Sequence, residues 1–258
     1  MEKVTIWSNG SLPALPAELA LEPIEALARA PKRERTRRQL IDAAVRVFCA
    51  RGVAAATLQE VAHVAEMANA TVYNHFTSKD ELLEETAVWL ADRLCRRIAE
   101  SCVDVAEGGE RMAIGNRRYL WLAEVAPAWA ALLLDVAAAS PKLFDTVRGY
   151  ILADLRLGVR QKAFQVTTES AAADLVSGTI AQAMRMIIAG LPSRGHPAAV
   201  TILVLVGLGV TRAAASEIVR RPLPPLTAPA TAERRLGLKQ GAARGRRGRV
   251  GEPAKSLP

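Results

Sequence analysis

The stretch Thr57–Leu82, TLQEVAHVAEMANATVYNHFTSKDEL, packs three helix starts into twenty-six residues. Thr57 is followed three residues later by Glu60, a capping box in which each side chain satisfies an orphan amide of the other. Leu58, Val61, Ala62 and Ala65 then fall on one face of a helix of about two turns. A break at Glu66-Met67 leads to a second short helix, roughly Ala68 to His75. Ser78 and Glu81 have the spacing of a second capping box. It opens a long helix through Leu82, Leu83, Val88, Trp89, Leu90, Leu94, Cys95 and Ile98, which ends before Gly108-Gly109.

Upstream, Leu40, Ile41, Ala44, Val45, Val47 and Phe48 recur at helical spacing. Pro31 suits the first turn and Gly52 the stop. Residues 1–30 hold several prolines and little periodicity, so a flexible leader is expected. Downstream, helices are expected near 111–125, 128–139, 141–165, 168–190 and 197–220, punctuated by Pro127, Ser140-Pro141, Gly190-Leu-Pro192 and His196-Pro197. From Pro222 the chain turns Pro-, Gly- and Arg-rich, which predicts a disordered basic tail over 222–258.

Composition agrees with an all-α protein. Of 258 residues, 50% are apolar but only 4% aromatic, and Ala and Leu, both strong helix formers, dominate. The net charge of +8 is clustered in Lys32, Arg33, Arg35, Arg37 and Arg38 and again in the tail from Arg234 to Arg249. Clustered positive charge points to a polyanionic partner. Three cysteines, Cys49, Cys95 and Cys102, form no disulfide framework. Cys95 and Cys102 share a helix face and read as buried free thiols. The N-terminus has no basic region leading into an apolar one, and the most apolar run, Ala198 to Val210, is thirteen residues against the roughly twenty a bilayer needs. A cytoplasmic protein without a membrane partner is expected.

Successive short helices around a tight turn make a helix-turn-helix, whose second member enters the DNA major groove with its exposed side chains. Asn69, Ala70, Thr71, Tyr73, Asn74 and His75 would form the outward face. Ala68, Val72 and Phe76, spaced four and four, would anchor the inward one. The run from Thr57 to Leu82 resembles the DNA-binding signature of the TetR family of transcriptional repressors, and Arg35 to Gly52 resembles the helix that precedes it. The family pattern is a capped helix, a turn, a groove helix ending Thr-hydrophobic-Tyr-x-x-Phe, and then Ser-Lys with an acidic pair. Two positions depart from it. The usual turn glycine is Glu66, so a residue with a Cβ must take the turn. The usual capping serine is Ala68, which forgoes about 1 kcal/mol of capping.

The resemblance implies an N-terminal three-helix DNA-binding domain over 31–77 and a larger helical domain over 78–221. It implies phosphate contacts from Thr57, Thr71, Tyr73 and Lys79, and base contacts from Asn69, Ala70 and Asn74. His75 would be structural or phosphate-facing. The larger domain would bind a small, apolar effector and form a homodimer through the helices near 168–190 and 197–220. The DNA partner would be a double-stranded, near-palindromic operator, from which the effector releases a repressor. Candidate pocket residues are Trp89, Met112, Trp121, Trp129, Phe144, Tyr150 and Met184.

Catalysis and cofactors find little support. No Gly-x-Ser-x-Gly elbow is present, and Gly207-Leu-Gly209 lacks the third glycine of a dinucleotide loop. His63 and His75, twelve apart, complete no coordination set, so no metal and no cofactor are expected. The rival reading is a helical small-molecule carrier or enzyme with a vestigial helix-turn-helix.

Overall fold

All regular structure among the described residues is helical. The computed structural model describes residues 13–19 and 30–226; the rest of the expected leader, and the expected tail from Thr227 onward, lie outside them. In chain order the helices are α1 (Lys32–Arg51), α2 (Leu58–Val64), α3 (Asn69–Tyr73), α4 (Lys79–Ser101), α5 (Gly108–Val125), α6 (Pro127–Ala137), α7 (Pro141–Arg160), α8 (Glu169–Ile188), α9 (His196–Gly207) and α10 (Arg212–Arg220).

Hydroxyl side chains start half of them. Thr57, Ser78, Ser140, Thr168 and Thr211 each accept a hydrogen bond from the backbone N–H three residues on, about 1 kcal/mol apiece. The Thr57 box is reciprocal, with Glu60 accepting the Thr57 N–H at 3.0 Å. The expected second box is not. Glu81 reaches past Ser78 to the N–H and hydroxyl of Thr77, at 2.7 and 2.8 Å.

Two expected helices end early, each at left-handed backbone that the apolar pattern does not mark. α7 stops at Arg160 rather than 165 because Lys162 takes φ 60°, and the N–H groups of Ala163 and Phe164 return to the Gly158 carbonyl. Phe164 thereby folds over Gly158, where a Cβ would lie 2.2 Å from its ring. A Cβ on Gly108 would lie 2.5 Å from the Gly158 nitrogen, so these glycines let α5 and α7 meet backbone to backbone. The expected helix over 197–220 is two, α9 and α10, divided at Gly209 (φ 95°). The Leu208 carbonyl there accepts from Gln165 N–H at 2.9 Å.

The stretch 13–19, expected as loose leader, is docked. Leu19 is fully buried, its carbonyl accepts from Arg93 Nε at 3.0 Å, and the Pro13 carbonyl accepts the Trp129 indole N–H at 2.7 Å. Prolines hid this contact in the sequence, since it uses carbonyls rather than a periodic apolar face.

The core runs without interruption from α1 through α9. Leu40, Phe48, Val72 and Phe76 sit under the short helices, and Leu90, Leu94, Leu120, Trp129, Leu155 and Leu205 fill the larger part. Burial of each such side chain contributes roughly 1.5–3 kcal/mol. No single helix among the described residues is long and apolar enough to cross a membrane.

Candidate nucleic-acid interface and cavity

Five residues cannot hold a helix by themselves, so the placement of α3 is a matter of anchoring. Val72 and Phe76 are fully buried beneath it. Arg37 of α1 holds its far end: Nη1 donates to the His75 carbonyl at 3.2 Å, and the guanidinium lies 4.6 Å from the Phe76 ring centroid. The turn before α3 is made as expected at Glu66, with φ 56°. The Met67 N–H bonds the Ala62 carbonyl at 2.9 Å, which closes α2 in the manner of a Schellman motif with a glutamate where glycine is usual. α3 then begins at Ala68 without a side-chain cap. Ala68 is exposed, not inward as the spacing predicts, because it is the extended residue ahead of the helix.

What α3 presents outward is Asn69, Ala70, Tyr73 and Asn74, all exposed, with Thr71 and His75 half-buried at its flanks. Tyr73 is 51% exposed, a large polar-tipped ring held above the surface. Thr57 is exposed at the start of α2, its hydroxyl donating to Glu60 at 3.1 Å. Lys79 carries a double duty that spacing does not reveal. Its ammonium donates to the carbonyls of Val53 and Ala54 at 3.2 and 3.0 Å, tying the α1–α2 loop to α4 and leaving one N–H for another acceptor. His75 Nδ1 has no hydrogen-bond partner. Burial, together with the Arg33 and Arg37 charges, holds this imidazole below its ordinary pKa, so it is neutral at pH 7 and contributes shape rather than charge.

The basic cluster divides by role. Arg38 pairs with Asp42 at 2.7 Å and lies over the Trp89 ring, Arg35 donates to the Ala30 carbonyl, and Arg37 is engaged as above. Lys32 and Arg33 are exposed next to them. Positive charge therefore borders α3, on the helix that also fixes it.

Beyond the head, α4 to α8 enclose a cavity of about 510 Å³. Met112, Phe144, Tyr150 and Met184 line it. The three tryptophans expected there do not. Trp89 meets the Arg38 and Arg93 guanidinia, 4.6 and 5.6 Å from its ring centroid, Trp121 packs with Arg118, and Trp129 is fully buried core. Large indoles here serve packing and cation–π contacts, which sequence spacing does not distinguish from pocket walls. Ile98, Leu134, Val147, Ile151 and Ile180 make the wall apolar.

Its polar groups are mostly paired. Arg111 binds Asp154 at 2.7 Å and the Cys102 carbonyl at 2.9 Å. The Tyr119 hydroxyl meets Cys95 Sγ at 3.1 Å, and burial raises that thiol to about 12 and the phenol well above its usual value. Asn116, 4% exposed, is different: its Nδ2 has no partner. Sequence reasoning missed it, although Met112, Asn116 and Tyr119 lie at helical spacing on one face of α5. Among the described residues no three His, Cys, Asp or Glu side chains gather to hold a metal.

Head and cavity are linked through α4. Glu85 binds Arg37 of α1 at 2.9 Å and also the ammonium of Lys142 on α7. Next to it, Glu84 accepts from the hydroxyl of Ser140, the residue that caps α7. Burial pushes the Glu85 carboxyl up, but the hydrogen bonds from Lys142 and Arg37 outweigh it and hold its pKa below the ordinary range.

Comparison with known proteins agrees with this architecture in both parts. Residues 40–86 match the family of bacterial regulatory proteins of the tetR type, and residues 107–221 match the tetracyclin repressor-like C-terminal domain. The nicotine-responsive transcriptional repressor HdnoR of Paenarthrobacter nicotinovorans is 42% identical over 82 residues, 31% of this chain and 40% of that protein. The regulator SrpR of Pseudomonas putida is 46% identical over 55 residues, 21% of this chain and 26% of its own. The likeness to these relatives thus covers well under half of their length. Among solved structures, RolR in complex with resorcinol superposes with a TM-score of 0.64 at 24% identity, covering 76% of this chain and 98% of its own. A tetR family transcription regulator from Shewanella sp. PV-4 gives 0.51 at 18%, covering 67% and 97%. At such identities the two structures speak for the fold. With a matching head, a matching C-terminal domain and the fold they share, this chain belongs to the TetR family of transcriptional regulators.

Proposed function

We propose that the chain is a homodimeric repressor that reads a near-palindromic operator through α3 and is released by a small organic effector held between α4 and α8. The observation that carries the reading is the exposed face of α3: Asn69, Ala70, Tyr73 and Asn74 stand out from a helix whose other side is fully buried. Residues 31–77 act as the DNA-reading head and 78–221 as the effector and dimer part. Asn69 and Asn74 suit bidentate bonding to adenine, Ala70 suits a thymine methyl, and Tyr73, Thr71, Thr57 and the spare N–H of Lys79 suit phosphates.

Dimerisation is supported by apolar side chains left open on the last helices: Leu175 of α8 is 40% exposed and Leu203 of α9 is 56%. Gly207 lets the two helices approach, since a Cβ there would lie 2.7 Å from the Leu175 side chain. A two-fold dimer asks for matching half-sites. The effector reading is supported by the cavity and by the Lys142–Glu85–Arg37 link, which joins a cavity-lining helix to the helix that fixes α3. A relative named as nicotine-responsive and a fold neighbour holding resorcinol make small organic molecules the natural class. An effector favouring wrongly spaced heads weakens DNA binding by the same coupling factor by which DNA weakens the effector.

The reading is tested by comparing base preference with overall affinity. Asn69→Ala and Asn74→Ala should change which duplexes are preferred. Tyr73→Phe should lower affinity for every duplex by a similar factor, leaving preference intact. Uniform loss from the asparagine variants, with no change of preference, would contradict a base-reading α3.

A further inference from the structure

Within the cavity, one buried polar atom has no partner while every charged pair is closed. Asn116 is 4% exposed, lines the cavity, and its Nδ2 meets no acceptor. Arg111 and Asp154 neutralise each other across 2.7 Å. The Tyr150 hydroxyl donates to Asp92 at 3.2 Å, and the Tyr119 hydroxyl is matched to Cys95. Arg185 also lines the cavity and is exposed. Ser177, whose hydroxyl donates to the Asp174 carbonyl at 3.5 Å, is the other polar side chain of a mainly apolar wall.

From this, and resting on the effector reading above, we propose that the cavity selects an uncharged, mainly apolar molecule that places one hydrogen-bond acceptor on the Asn116 amide. A buried donor without an acceptor is costly, and a ligand carbonyl, ether or hydroxyl oxygen removes that cost on binding. An anion of the same size meets only Arg185, an exposed cation whose pairing contributes little, because Arg111 and Asp154 already satisfy each other, and any charged ligand must leave water to enter. Selection thus rests on two features: the open amide decides where the oxygen goes, and the closed ion pair decides that the ligand is neutral.

Three probes of nearly one shape test this: diphenylmethane, benzophenone and diphenylacetate, which differ at the central carbon by CH₂, C=O and CH–COO⁻. Calorimetric titration of the full chain should show benzophenone binding roughly tenfold or more tighter than diphenylmethane, with diphenylacetate the weakest. Asn116→Leu, which keeps the side chain's size and removes the amide, should erase the advantage of benzophenone. A preference that survives in Asn116→Leu, or diphenylacetate binding as tightly as benzophenone to the unaltered chain, overturns the proposal. The comparison on the unaltered chain decides it even where the variant folds poorly. Binding of all three without discrimination defeats only the chemical class, whereas binding of none defeats the effector reading itself.

Discussion

Glu66 holds a backbone conformation that costs an L-residue about 1–2 kcal/mol, at the turn on which α3 depends. Its carboxylate also stands next to the face that would meet phosphates. Glycine would take the same φ without penalty, while losing roughly 0.5–1 kcal/mol through the freedom it adds to the unfolded chain. Glu66→Gly should therefore stabilise the fold by about 0.5 kcal/mol, seen as a small rise in urea midpoint, and should tighten binding to all DNA by removing a negative charge. A clear loss of stability would mean that the Glu66 side chain has a contact that holds the turn. Lys79 and His75 teach a related lesson at this scale. Their place in the family pattern was legible, but their partners, the Val53 and Ala54 carbonyls for one and the Arg37 guanidinium for the other, come from segments 25 to 38 residues away. Residue type and local spacing carry no record of such contacts.

At the scale of elements, α4 is the piece on which both halves bear. Arg37 and Lys142 reach Glu85 from α1 and α7, so Glu85→Gln removes the charge that both bind and leaves Arg37 half-buried with a weaker partner. The variant should lose about 1–3 kcal/mol of stability, and amide hydrogen exchange should quicken in α1 and α3 ahead of α5 and α8. Uniform acceleration across all helices would contradict a link specific to the head. The pH dependence has a definite sign. Glu85 titrates below the ordinary carboxylate range when folded, so its contribution is complete above that range and is lost as pH falls through the depressed value. Elements were legible in the sequence wherever their ends carried side-chain chemistry: Thr57, Ser140-Pro141 and Thr168 marked true starts. They were misread where a turn was made by backbone alone. Lys162 gave no sign that α7 ended, Gly209 lay inside a continuous apolar run, and Gly108 opens α5 against Gly158 rather than merely ending the helix before it. The cavity was half legible, since Met112, Phe144, Tyr150 and Met184 lie on its wall while the tryptophans went to core and cation–π contacts. Its distinguishing group, Asn116, is an ordinary helix residue until its neighbours are known.

For the whole molecule, the account joins three things: a basic head with an exposed groove helix, an apolar cavity some helices away, and open apolar faces on α8 and α9 for a second copy. The selection of duplexes from a random pool by the full chain, repeated at low and moderate salt, addresses their union most directly. The account predicts enrichment of a near-palindromic sequence whose half-sites are related by two-fold symmetry, with affinity falling steeply as salt rises because phosphates are neutralised by Lys and Arg. Binding that shows the salt dependence but enriches no sequence, or no binding at any salt, would contradict it.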